Sequence, residues 1–127
     1  MYIRKLISVK EIMAGDGTIL KELVPGPKEG LELRYSLAHA RLAPGQTSYL
    51  HRLASSEVYY ILTGRGRMEI EGETKEVVAG DVIYIPPHAA QRITNIGTDE
   101  LAFLCLVDPA WREEDEEIIQ ERPFHDR

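Results

Sequence analysis

Cys105 is the single cysteine in 127 residues, so no disulfide framework forms within the chain and a Cys-rich zinc module is excluded. Long apolar runs are missing too. The longest, Leu101 to Val107, has the size of a strand and falls far short of the roughly 18–20 residues that cross a bilayer. Charge at Arg4, Lys5, Lys10 and Glu11 interrupts the N-terminus, so no signal peptide is expected and a cytoplasmic location is. Excess positive charge is absent. The net charge is −6, with −5 of it in residues 108–127 and only −1 in residues 1–107. Without a basic footprint neither nucleic acid nor a membrane is expected as a partner, and the acidic tail is expected to be a solvated face.

What is present is a series of short apolar or alternating runs separated by Gly, Pro, Asn and Asp. They fall at 31–42, 47–52, 57–63, 66–71, 74–78, 82–85, 89–95 and 100–107. Such runs predict one all-β domain spanning 1–127, an antiparallel sandwich or barrel with its regular part over about 31–107. Residues 68–71 and 74–77 predict a hairpin turning at Gly72, and Gly64-Arg65-Gly66 is expected to be a hairpin turn rather than a phosphate-binding loop. The arm 1–30, with strand-like runs at 2–7 and 18–24, is expected to form outer strands or to exchange with a partner. Trp111–Glu121 is the one segment expected to be helical.

Two stretches carry the chemistry. The first runs from Gly45 through His51, Leu53 and Glu57 to Gly64, and the second from Gly80 through Pro86, His88 and Gln91 to Asn95. Residues two apart on a strand face the same way, so His51 and position 53 point together and Glu57 joins them from the next strand. In composition and spacing the two stretches resemble the motifs of the cupin superfamily, a His-x-His pair followed by Glu between two glycines, and Pro-x-Gly followed by His and Asn. The resemblance implies a double-stranded β-helix, or jelly-roll barrel, here with a short C-terminal helix. It also implies a site inside the barrel and, for single-domain members, a homodimer.

In cupins such His and Glu side chains converge on one divalent metal. Carried onto this chain, the set is His51, Glu57 and Gln91, because Leu53 stands at one histidine position and Gln91 at another. One Fe, Mn, Ni or Zn ion suits such nitrogen and oxygen ligands. The expected function is a metal-dependent enzyme acting on a small polar molecule, a dioxygenase, isomerase or epimerase, with Glu57 or Tyr59 assisting proton transfer. The alternative is a metal-free module that binds a sugar or organic acid, with Glu57 set against His51 or Arg41. His88, at a turn position where φ is expected to be positive, is a candidate for the pocket or an exposed turn residue. If one face of strand 31–42 points inward, His39 and Arg41 enter the pocket and imply an anionic ligand; if the other does, Ser36, Ala38 and Ala40 make room. Cys105 is expected in the core, and His125 on a loose end.

Overall fold

In the computed structural model, which describes residues 1–119, eleven short strands form two facing antiparallel sheets. They are β1 (Ile12–Met13), β2 (Ile19–Val24), β3 (Ser36–Leu42), β4 (His51–Leu53), β5 (Ser56–Thr63), β6 (Arg65–Ile70), β7 (Glu73–Val78), β8 (Val82–Ile85), β9 (Gln91–Asn95), β10 (Leu101–Asp108) and β11 (Glu116–Ile118). One sheet has the order β1-β2-β3-β10-β5-β8 and the other β11-β4-β9-β6-β7. This is the expected all-β barrel. Among the described residues no helix is long and apolar enough to cross a membrane.

Strand alternation builds the core. Tyr59 and Ile61 of β5, Phe103 and Cys105 of β10, Ala40 and Leu42 of β3, and Ile83 and Ile85 of β8 are buried and meet Met68, Val77 and Ile93 from the other sheet. The Tyr59 and Phe103 rings stack at a tilt, with centroids 4.6 Å apart. The β6–β7 hairpin turns on Glu71-Gly72, both at positive φ (51° and 82°) with Ile70 paired to Glu73. That is a primed two-residue turn, which matches the twist of the flanking strands. Gly64 is different from the expected hairpin turn, because β5 and β6 belong to different sheets and the chain crosses between them there. At φ 91° a Cβ on Gly64 would lie 2.7 Å from the Glu100 carbonyl oxygen, so only glycine permits the crossing.

Among the described residues, the segments flanking the barrel on both sides pack onto it. β2 pairs with β3 of the same chain, Ile19 opposite Arg41 and Leu20 opposite Ala40, so the arm is an outer strand here. Residues 2–7 form no strand. A 3₁₀ turn, Leu6–Ser8, lies along β2, held by Lys21 Nζ donating to the Leu6 carbonyl at 2.8 Å and Tyr2 donating to Leu23.

The C-terminal helix is not formed. Within the described residues, a 3₁₀ turn at Glu113–Asp115, clasped by Arg112 on the Asp115 carboxylate, leads into β11. β11 pairs with β4, Glu116 opposite Leu53 and Ile118 opposite His51. A short polar segment gains little from helix formation alone, whereas the open edge of β4 offers unpaired backbone groups that a strand satisfies. His125 lies outside the described residues.

Candidate functional site

His51 and Glu57 reach the barrel interior from opposite sheets, His51 from β4 and Glu57 from β5. Both are buried, at 2% and 7% exposure, and both line a cavity of about 170 Å³. That is roughly the liquid volume of five or six waters, well below the size of a drug-like pocket. Leu53, Val107 and Cys105 contribute to its apolar side, and Asp16, Glu22, Ser36 and Glu116 add to its polar side.

Each of the two central side chains has one atom tied to the scaffold. His51 Nδ1 lies 2.7 Å from the Tyr49 carbonyl oxygen. A carbonyl only accepts, so Nδ1 carries the hydrogen and, in the neutral ring, Nε2 presents a lone pair. Glu57 Oε1 accepts from Gln91 Nε2 at 2.9 Å, and Gln91 Oε1 in turn accepts from the Tyr59 hydroxyl at 3.0 Å. Burial pushes the Glu57 carboxyl up to about 7, against the opposing pull of the Gln91 hydrogen bond. Burial likewise raises Tyr59 and Cys105 well above their ordinary values.

The expected metal set is not brought to one open point. Leu53 has no donor atom. Gln91 is 1% exposed and sits behind Glu57, its amide oxygen already holding the Tyr59 hydroxyl. Tyr59 too stands behind the cavity wall, positioning Gln91 rather than facing a ligand. Among the described residues no three His, Cys, Asp or Glu side chains are placed to hold a metal ion. The residues present therefore do not fit the metal that the fold family implies.

Strand β3 resolves the question of which face points inward. Ser36, Ala40 and Leu42 are buried, and Ser36 and Ala38 border the cavity. His39 and Arg41 point outward, a correction to the pocket reading. Arg41 donates to Glu11 at 2.8 and 2.9 Å and to Glu100 at 2.7 Å, and His39 is lowered chiefly by partial burial. His88 is exposed, with φ 67°, and its backbone N–H donates to the Leu53 carbonyl. It is the turn residue and not a pocket residue. Asn95, the last residue of the second motif, ties the turn after β9 by donating to the Leu42 and Asp99 carbonyls and accepting from Gly97 N–H.

Three acidic residues of the cavity are unforeseen: Asp16, Glu22 and Glu116. Asp16 sits in the β1–β2 turn, where its Oδ1 accepts from the Thr18 N–H and hydroxyl and its Oδ2 stands 3.8 Å from His51 Nε2. Glu116 arrives on β11, accepts a hydrogen bond from the Trp111 side chain, and is raised by burial. The Gly15-Asp16-Gly17 turn is the only sequence signal for the first, and Glu116 is hidden among the acids of the tail.

A family model for the cupin domain matches residues 38–107, the stretch that contains both motifs. An uncharacterized protein of Methanocaldococcus jannaschii is 41% identical over 114 residues, covering 88% of this chain and 90% of that protein. A glucose-6-phosphate isomerase of Pyrococcus furiosus is 30% identical over 129 residues, covering 91% of this chain and 68% of the enzyme. A cupin 2 conserved barrel domain protein from Salinispora arenicola superposes with a TM-score of 0.73 at 23% identity, covering 90% of this chain and 91% of that one. With barrel, motifs and relatives in agreement, the chain belongs to the cupin superfamily.

Proposed function

We propose that this cupin is an isomerase-type enzyme that moves protons on a small hydroxy-carbonyl compound held between Glu57 and His51. The observation that carries the reading is geometric: two buried proton-transfer groups on opposite sheets are each oriented through one atom, and both line the same small cavity. A carboxyl that titrates near 7 offers both protonation states close to neutral pH, which general acid–base catalysis requires. The Pyrococcus furiosus relative is named a glucose-6-phosphate isomerase, which supports an isomerase reading.

In this reading the ionised Glu57 carboxylate takes the proton from the carbon beside the carbonyl and returns it to the neighbouring carbon. The His51 Nε2 lone pair takes the hydroxyl proton and hands it to the former carbonyl oxygen. Gln91 and Tyr59 hold the Glu57 carboxyl in place, and Tyr49 fixes the imidazole tautomer. No step passes through a metal. The test is exchange of substrate C–H for solvent deuterium, followed by NMR over a panel of small hydroxy-carbonyl compounds. Exchange with at least one compound, lost in both Glu57→Gln and His51→Ala, supports the reading; exchange that survives Glu57→Gln refutes it.

A homodimer is the proposed assembly. The outer face of the first sheet exposes Tyr60, Leu62, Val82, Tyr84 and Leu106, and Tyr60 pairs with Val82 and Leu104 across adjacent strands. A contiguous apolar sheet face of this kind is suited to a second copy of the chain.

A further inference from the structure

The polar atoms left open in the cavity are acceptors, with the Ser36 hydroxyl as the exception. His51 Nε2 presents a lone pair because Nδ1 is committed to Tyr49. Asp16 Oδ2 is the free oxygen of a carboxylate whose other oxygen is held by Thr18. Glu57 has one oxygen beyond that taken by Gln91, and Glu116 adds a further carboxylate from β11. The His51 side chain is 3% exposed, and its Nε2 meets the Asp16 carboxylate only at 3.8 Å, too far for a hydrogen bond. Glu22 also lines the cavity, so five acceptor-bearing side chains border one small space, and none of the described residues that line it is lysine or arginine. The arginine whose entry would have suited an anion, Arg41, is engaged with Glu11 and Glu100 on the outside.

An acceptor-only ligand group such as a carboxylate or phosphate finds one neutral donor here, the Ser36 hydroxyl, and otherwise meets like charge. An ammonium group is the complement: three donors, no acceptor, one positive charge. We propose that the cavity binds a small primary amine, its ammonium group among Asp16 Oδ2, His51 Nε2 and Glu116, and its aliphatic body against Leu53 and Val107. The cavity thus differs in ligand charge from the sugar phosphate named for the Pyrococcus furiosus relative. Gly15 contributes to the arrangement, since a Cβ there would lie 2.5 Å from Glu116 Oε1 and displace the carboxylate. The inference goes beyond the proton-transfer reading and shares with it only the cavity: it concerns the class of ligand bound, gives His51 Nε2 to an ammonium group in place of a hydroxyl, and does not assume the proton-transfer step.

The experiment uses three matched three-carbon probes, 1-amino-2-propanol, 1,2-propanediol and lactate, titrated into the full chain at low salt and slightly alkaline pH by isothermal calorimetry or ligand-observed NMR. The amine is expected to bind at least about tenfold more tightly than the diol, with no saturable binding of lactate. Asp16→Asn and Glu116→Gln, neither in the apolar core, are each expected to weaken the amine about tenfold without changing the melting temperature appreciably. Lactate binding as tight as the amine, an amine no tighter than the diol, or amine affinity untouched by both variants overturns the proposal. So does lactate binding that appears only on adding Zn²⁺, which would mean that a metal carries an anionic ligand. The two claims are read on separate signals: C–H exchange in Glu57→Gln bears on proton transfer, and amine affinity in Asp16→Asn and Glu116→Gln bears on ligand class.

Discussion

Gln91 holds the Glu57 carboxyl from behind: its Nε2 donates to Glu57 Oε1 over 2.9 Å, and its own oxygen is fixed by Tyr59. The residue at the last cupin ligand position is thus a positioning residue, and the carboxyl it steadies keeps one oxygen for the cavity. The consequences of that arrangement are measurable.

The Glu57 carboxyl rises from 4.5 to about 7 on folding, so the native state holds this proton more tightly than the unfolded chain. Its contribution to stability is therefore fully present below pH 4.5 and is lost as pH rises through 7. A shift of this size corresponds to about 3 kcal/mol. Glu57→Gln keeps an acceptor for Gln91 Nε2 and removes the titration. Urea unfolding at pH 4.5 and pH 8 should show the variant gaining on the wild type by up to about 3 kcal/mol at the higher pH; parallel stabilities would contradict the burial account.

Tyr59→Phe removes a hydroxyl outside the cavity and leaves the buried Gln91 oxygen without its partner. A stability loss of about 1–3 kcal/mol is expected, with amine affinity near the wild-type value. A large loss of affinity at unchanged stability would place Tyr59 against the ligand instead.

Gly15→Ala places a methyl group where the Glu116 carboxylate lies. The carboxylate moves because it is the far end of a flexible side chain, so the melting temperature is expected to change little while amine affinity falls toward that of Glu116→Gln. Unchanged affinity would remove Glu116 from the site.

Tyr84, on the edge strand β8, is 60% exposed on the outer apolar face. Tyr84→Asp is expected to convert a dimer into a monomer in sedimentation velocity, with the fold retained by circular dichroism. A wild-type chain that sediments as a monomer refutes the dimer.

Much of the barrel is legible in the sequence because its strands alternate and its turns are marked. The Glu71-Gly72 hairpin and the run 82–85 match the observed elements, and the motif spacings place His51 and Glu57 on successive strands, which the structure puts in facing sheets. The orientation of β3 was not legible, since both of its faces carry residues able to line a pocket. The tail misled for a different reason: Glu116 resembles its acidic neighbours, and only the open edge of β4 turns residues 116–118 into a strand. Asp16 was hidden because turns signal their glycines and not the tertiary direction of the residue between them. Gln91 takes its inward position from the motif and Tyr59 from the parity it shares with Glu57, but neither signal tells a cavity wall from the layer behind it.

The most direct measurement is the site-resolved titration of the Glu57 carboxyl carbon by NMR on chelator-treated protein, assigned by the signal lost in Glu57→Gln. A midpoint near 7 is the result that the buried, Gln91-steadied carboxyl predicts. A midpoint near 4.5 would contradict it, because the carboxylate would then be ionised at neutral pH by solvent or by a positive charge that the cavity, as described, does not contain.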